Sequence, residues 1–122
     1  VCKKNLKIGI KFDVVYARFF IHAINTKEQE NFLKNIKKIL KNNGLIFFEF
    51  RTIKDPLIKK GIKISKYERL DDHYRRFIDP IDFKNDLKKM NFKMLYFKIS
   101  NKYAIYENQK PEICRVIFKK LK

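Results

Sequence analysis

The chain has 122 residues, with 30 Lys+Arg against 13 Asp+Glu and a formal net charge of +17 at pH 7. This length fits one domain at most, and the 45% hydrophobic content suffices for a modest core. The sequence shows no run of about 18 apolar residues and no signal-type start, so it speaks against a membrane span and predicts a cytoplasmic protein.

The excess positive charge consists mostly of lysines, which are spread along the chain and do not form one stripe. Together with abundant Ile and Asn, this spread is typical of an A+T-rich coding bias. The charge also suits binding to nucleic acid, which stays open as an alternative. Cys2 and Cys114 lie far apart with no Cys or His at ligand spacing, so the sequence predicts neither a disulfide nor a metal site.

The first half of the chain predicts strand, helix and strand. Residues 12–20 are dense in β-branched and aromatic side chains with little alternation, which predicts a strand covered on both faces. Asn25 or Thr26 then caps a helix, because Thr26-Lys27-Glu28-Gln29 fits the capping-box pattern and Glu28 is favourable in the first turn. Asn42-Asn43-Gly44 supplies a left-handed stop before a second buried strand begins at Leu45. This order indicates a parallel crossover unit, whose ligands are expected where the strands end.

The second half predicts a long loop, a helix and a closing antiparallel pair. Residues 51–79 mix polar and aromatic side chains without a period, which is typical of an active-site loop with a short helical turn or two. Asp79 and Pro80 begin the helix as its cap and first residue. The remaining strands are predicted at 92–99, 102–107 and 113–119.

Two motifs and a turn point to a known family. Phe12-Asp13-Val14-Val15, Ile21-His22-Ala23-Ile24 and the turn within residues 39–47 resemble the "fDvv", "lH.i" and "Lk.gG.l.f" elements of class I S-adenosylmethionine-dependent methyltransferases. The resemblance covers the C-terminal half of that family. It implies an α/β fold with a Rossmann-like methyltransferase sheet, in which parallel strands end in a C-terminal antiparallel hairpin. The single partial domain, residues 1–122, would be incomplete at its N-terminus.

The family's cofactor-binding elements have no counterpart in the chain. Its glycine-rich turn and the acidic residue that ends its second strand hold S-adenosylmethionine, whereas this chain has three isolated glycines. The resemblance implies that Ala17 and Arg18, at the end of the first strand, contact the cofactor. An intact cofactor site would need residues from outside the chain.

Candidate acceptor and catalytic residues lie after the strands and in the long loop. Arg18 and Arg51 each follow a predicted strand, where a guanidinium must find an anion or water. His22 lies beside the expected acceptor position as a candidate base; alternatively, it only packs at the helix entry. The loop adds His73 as a second candidate base and three candidate substrate-binding residues, namely Tyr74, Arg75 and Arg76. A charged surface turn is the alternative for this loop.

These residues predict methyl transfer from S-adenosylmethionine to a small anionic acceptor, such as a sugar or a phosphorylated metabolite, as part of a longer protein. The first alternative is a basic, non-enzymatic nucleic-acid-binding α/β module with aromatic residues available for stacking. The second is a regulatory or decayed half-domain that pairs with a catalytic partner.

Overall fold

The computed structural model describes residues 9–105 and 110–122. In chain order the strands are β1 (Phe12–Arg18), β2 (Leu40–Arg51), β3 (Ile62–Lys63), β4 (Glu68–Leu70), β5 (Tyr74–Arg76), β6 (Phe92–Ser100) and β7 (Ile113–Lys120). The helices are α1 (Thr26–Ile39) and α2 (Pro80–Lys89), and short 3-10 turns cover Ile21–Ala23 and Pro56–Lys59. Within the described ranges, no helix is long and apolar enough to cross a membrane.

The main sheet has the strand order β1-β2-β7-β6. β1 and β2 are parallel because α1 carries the chain back between them, and β7 lies antiparallel between β2 and β6. The predicted α/β sheet with a closing antiparallel pair is therefore confirmed. The strand predicted at 102–107 is wrong for residues 102–105, which form bends, and residues 106 and 107 lie outside the described ranges.

The cap of α1 is Asn25, one of the two predicted caps, but the capping box joins Asn25 to Glu28 instead of the predicted Thr26 to Gln29. The Asn25 side chain accepts a hydrogen bond from the Glu28 backbone N–H at 2.8 Å, and the Glu28 carboxylate accepts one from the Asn25 N–H at 3.0 Å. The predicted left-handed stop after α1 lies at Asn43, whose φ is 66°. At the end of α1, Lys120 Nζ donates hydrogen bonds to the Leu40 carbonyl at 2.8 Å and to the Lys37 carbonyl in the last turn of the helix.

Both helices pack on the same face of the main sheet. The Phe48 ring of β2 contacts Phe32 of α1 and Phe83 of α2, with centroids 6.5 and 4.8 Å apart. On the other face, Val14 and Tyr16 of β1 are 51% and 64% exposed. The expectation that the first strand is covered on both faces is wrong for this chain, because β1 is an edge strand and α1 covers only one side of it.

The predicted long loop contains a second sheet. β3, β4 and β5 form a small antiparallel sheet in the order β3-β4-β5, joined to β2 through a bridge between Thr52 and Ile78. Sequence periodicity cannot detect strands of two or three residues, which show no full alternation. The helix that follows is capped as predicted by Asp79, which accepts from the Ile81 N–H at 3.0 Å. Ile81, in the first turn of this helix, is 52% exposed.

Candidate functional site

The site forms where β1 ends. Phe19 has a φ of 54°, which bulky residues rarely adopt, and its N–H donates to the Glu49 carbonyl at 2.7 Å. This sharp change of direction stops the strand and starts the 3-10 turn that contains His22. The Phe19 ring lies between the Arg18 guanidinium, 5.0 Å from its centroid, and the His22 ring, with centroids 5.6 Å apart.

His22 is held above the end of β2. Its Nδ1 accepts a hydrogen bond from the Arg51 backbone N–H at 3.1 Å, so the neutral ring carries its proton on Nε2. Burial lowers the pKa of His22 to about 4, with further contributions from the nearby charges of Arg51, Arg75 and His73. At neutral pH the ring is therefore uncharged, and its Nε2–H is a hydrogen-bond donor.

Arg51 is fixed by an internal carboxylate. Its Nη1 donates to Asp55 Oδ2 at 2.7 Å, and the Asp55 side chain is fully buried. The other oxygen of Asp55 accepts from the Leu57 N–H at 2.8 Å, which begins the second 3-10 turn. Both oxygens of Asp55 are thus used inside the protein, and they set the direction of the guanidinium.

Arg76 connects the small sheet to the turn that contains His22. Its guanidinium donates to the carbonyls of Ile24 at 2.8 Å and Ile21 at 3.2 Å, and to the Gln29 side chain. Among the described residues no carboxylate pairs with it, and burial lowers the pKa of Arg76. Arg76 therefore positions the turn, while the Glu68 carboxylate on the neighbouring strand interacts with its positive charge without forming an ion pair.

The other predicted loop residues lie at the same end of the sheet. The Tyr74 hydroxyl donates to Glu68 at 2.6 Å, and burial together with this carboxylate raises the pKa of Tyr74. Arg75 Nη1 lies 3.8 Å from Asp71, and only 18% of its side chain is exposed. His73 is exposed at the tip of the turn between β4 and β5. The fold thus gathers the loop residues around His22, although 50 positions of sequence separate them.

Arg18 belongs to a second, adjacent group. Arg18 Nε and Arg115 Nε donate to the two oxygens of Glu49 at 3.2 and 2.8 Å, and the Glu49 side chain is 5% exposed. Arg115 also stacks on Tyr103 at 3.9 Å. Two guanidinium groups share one carboxylate, so the group keeps one positive charge. Sequence reasoning missed Arg115, because only the pairing of β7 with β2 brings it opposite Glu49.

The glycines offer no cradle for a cofactor. A Cβ at Gly44 would lie 2.7 Å from Leu40, so that position serves close packing. Gly61 serves a turn with a φ of 79°, and Gly9 has no atom within 4 Å of a Cβ. The described residues therefore do not fit the whole of S-adenosylmethionine, and Ala17 and Arg18 supply at most an edge of such a site.

The solved structures that are similar to this chain include several methyltransferases. An S-adenosylmethionine-dependent methyltransferase from Methanosarcina mazei superposes with a TM-score of 0.74 at 13% identity, over 94% of this chain and 63% of that one. An S-adenosylmethionine-dependent methyltransferase from Clostridium acetobutylicum superposes with a TM-score of 0.64 at 16% identity, over 95% of this chain and 61% of that one. The glycopeptide N-methyltransferase MtfA complexed with S-adenosyl-L-methionine superposes with a TM-score of 0.62 at 10% identity, over 93% of this chain and 55% of that one. The chain thus spans less than two thirds of these relatives, and at these identities the likeness confirms the predicted Rossmann-like methyltransferase sheet.

The sequence itself carries the family assignment. No curated protein matches the chain. The family model described as "Methyltransferase domain" matches residues 3–96, which cover the main parallel pair, both helices, the small sheet and the start of β6. The predicted resemblance is confirmed, and the chain belongs to the methyltransferase domain family.

Proposed function

We propose that the chain forms the acceptor side of an S-adenosylmethionine-dependent methyltransferase that acts on a small anionic acceptor. The supporting observation is the surplus of guanidinium charge at the carboxyl ends of β1 and β2. Arg18 and Arg115 share one carboxylate, and Arg76 pairs with none among the described residues. Guanidinium groups held in fixed directions recognise carboxylate or phosphate oxygens.

The two histidines have different roles in this proposal. Methyl transfer requires that the acceptor is held in line with the sulfonium methyl group and that the proton of the acceptor is removed. His22, with its pKa lowered to about 4, is a weak base, so its Nε2–H orients the acceptor by donating a hydrogen bond. His73 is exposed at the tip of the small sheet and serves as the candidate base. Tyr74 is bonded to Glu68 and lines the approach to the acceptor.

The cofactor side is proposed to come from outside the chain. β1 is an edge strand whose free backbone groups can pair with a further strand. A groove of about 530 Å³ runs along β1 and α1 and is lined mostly by apolar side chains, among them Val15, Phe20 and Phe32. A strand at this edge would carry the glycine-rich turn to the end of β1, next to Ala17 and Arg18.

The cytoplasmic location of the protein stays a prediction.

Binding of S-adenosylmethionine tests this proposal. Isothermal titration calorimetry compares the 122-residue chain with a longer protein that also contains a glycine-rich strand and turn upstream. We expect weak or no binding to the chain and clear binding to the longer protein. If the longer protein also fails to bind, the methyltransferase proposal is overturned.

Neither the family model nor the solved structures support the nucleic-acid-binding alternative. Mobility of the protein with short RNA and DNA at low ionic strength tests it directly, because binding that depends on the net charge weakens steeply with salt. An unchanged mobility is the result that we expect.

A further inference from the structure

A separate small cavity lies beside Arg51. It has a volume of about 200 Å³ and lies between the second 3-10 turn and the start of β7. Its lining combines charged with apolar side chains, namely Arg51, Asp55, Pro56, Leu57, Lys60, Lys110 and Pro111. Sequence reasoning identifies only Arg51 of this set, because Lys60 and Lys110 are 50 positions apart and resemble the other surface lysines.

The charges in this cavity do not balance. Asp55 is the one carboxylate among the described residues that line it, and both of its oxygens are taken up by Arg51 and the Leu57 N–H. Lys60 and Lys110 are exposed, and within the described part of the chain neither ammonium group has an ion pair. Among the described residues that line the cavity, three cations and one carboxylate leave two positive charges without an ion pair.

The cavity combines a fixed cation with two mobile ones. Asp55 holds Arg51 through Nη1, and the remaining N–H groups of the guanidinium stay available to a ligand. Lys60 and Lys110 line the same cavity and add flexible point charges. Two prolines and Leu57 add apolar surface to the lining of the cavity.

We propose that this cavity binds a phosphoryl dianion, whose two negative charges match the two uncompensated positive charges. The inference rests on the proposed function for one point, that the phosphoryl group belongs to the methyl acceptor. The Arg51 backbone N–H donates to His22, so the cavity and the proposed acceptor position are joined through a single residue. A small phosphorylated metabolite would bind with its phosphoryl group between Lys60 and Lys110 and its remaining atoms toward His22.

Calorimetric titration of the whole protein with inorganic phosphate and with a hexose 6-phosphate, at constant ionic strength, tests this site. We expect Lys60→Gln and Lys110→Gln each to weaken phosphate binding about three- to tenfold. Lys59→Gln is the matched control, because Lys59 is an exposed neighbour that does not line the cavity. Hexose 6-phosphate is expected to bind more tightly than inorganic phosphate, since its sugar adds contacts.

Two results would overturn the phosphoryl site. One is an equal weakening by Lys59→Gln and Lys60→Gln, because this would show a general effect of the net charge. The other is a lack of phosphate binding to the wild-type protein at millimolar concentration. Titration of the longer protein, which also contains the upstream glycine-rich strand and turn, with phosphate and with S-adenosylmethionine separates the two proposals. Phosphate binding without cofactor binding to this longer protein supports the site while overturning the methyltransferase proposal, and cofactor binding without phosphate binding overturns the site alone.

Discussion

The buried imidazole of His22 should make the protein less stable as the pH falls from 7 to 4. In the folded chain the pKa of His22 is about 4, against 6.5 for a free histidine side chain. Between these two values the unfolded chain binds more protons than the folded one, so protonation favours unfolding. The stability contributed by the neutral ring is complete above pH 6.5 and is lost as the pH falls toward 4.

The size of this effect follows from the difference in pKa. Each unit corresponds to about 1.4 kcal/mol, so the free energy of unfolding should fall by about 2 kcal/mol at pH 5 and about 3 kcal/mol at pH 4. The total free energy of unfolding of a typical domain is only about 5–15 kcal/mol. The loss attributed to this single side chain should therefore be readily measurable.

Urea denaturation of the wild type and of His22→Asn at pH 7.5, 6, 5 and 4 measures this loss in the free energy of unfolding. The Asn carbonyl can still accept the hydrogen bond from the Arg51 N–H that Nδ1 accepts at 3.1 Å, but it does not titrate. The difference between the two proteins removes the effects of other titrating groups. We expect His22→Asn to lose less stability than the wild type between pH 6 and 4. Parallel profiles for both proteins would refute the reasoning.

Three substitutions test other contacts by urea denaturation. Lys120→Met removes the hydrogen bonds to the last carbonyls of α1 and should cost about 1–3 kcal/mol, whereas Lys122→Met at the exposed C-terminus should change stability by about 0.5 kcal/mol or less. Glu49→Gln leaves two guanidinium groups without their shared carboxylate and should cost about 2 kcal/mol, part of which Arg115→Gln in the same protein should restore. Phe19→Gly should be more stable than Phe19→Ala by about 1 kcal/mol, because only glycine adopts the φ of 54° without strain.

Each of these expectations has a contradicting result. Equal effects of the two lysine substitutions would show that the ammonium of Lys120 does not stabilise the end of α1. A double variant less stable than Glu49→Gln alone would mean that Arg115 contributes through packing on Tyr103 more than through its charge. Phe19→Ala as stable as Phe19→Gly would show that the backbone at this position carries no strain.

The sequence predicts local structure well where one short segment decides the outcome. The cap at Asn25, one of the two predicted caps, and the cap at Asp79 each need only residues within one helical turn, and the structure confirms both. The parallel pair of β1 and β2 also follows from the chain alone, because a helix between two buried strands returns the chain to the same edge. The motifs around Asp13 and His22 were sufficient to identify the family.

The small sheet was beyond sequence reasoning for a different reason. β3, β4 and β5 are held by pairing with each other and by the bridge to Thr52, so their stability comes from contacts that the sequence does not display. Strand pairing over long sequence distances also brings site residues together in a way that the sequence does not display. Arg115 pairs with Glu49 from 66 positions away, and Lys60 and Lys110, which are 50 positions apart, line one cavity.

The sequence by itself therefore determined the α/β class, the helix ends, the methyltransferase family and the scarce arginines near the strand ends. Only the tertiary structure decided what each charge does. It made Arg76 a tether for the turn that contains His22, kept His22 neutral by burial, and placed Arg51 between a buried Asp55 and a cationic cavity. The physical reason is that propensity and capping act over a few residues, whereas burial and the pairing of charges depend on which distant segments the sheet brings together.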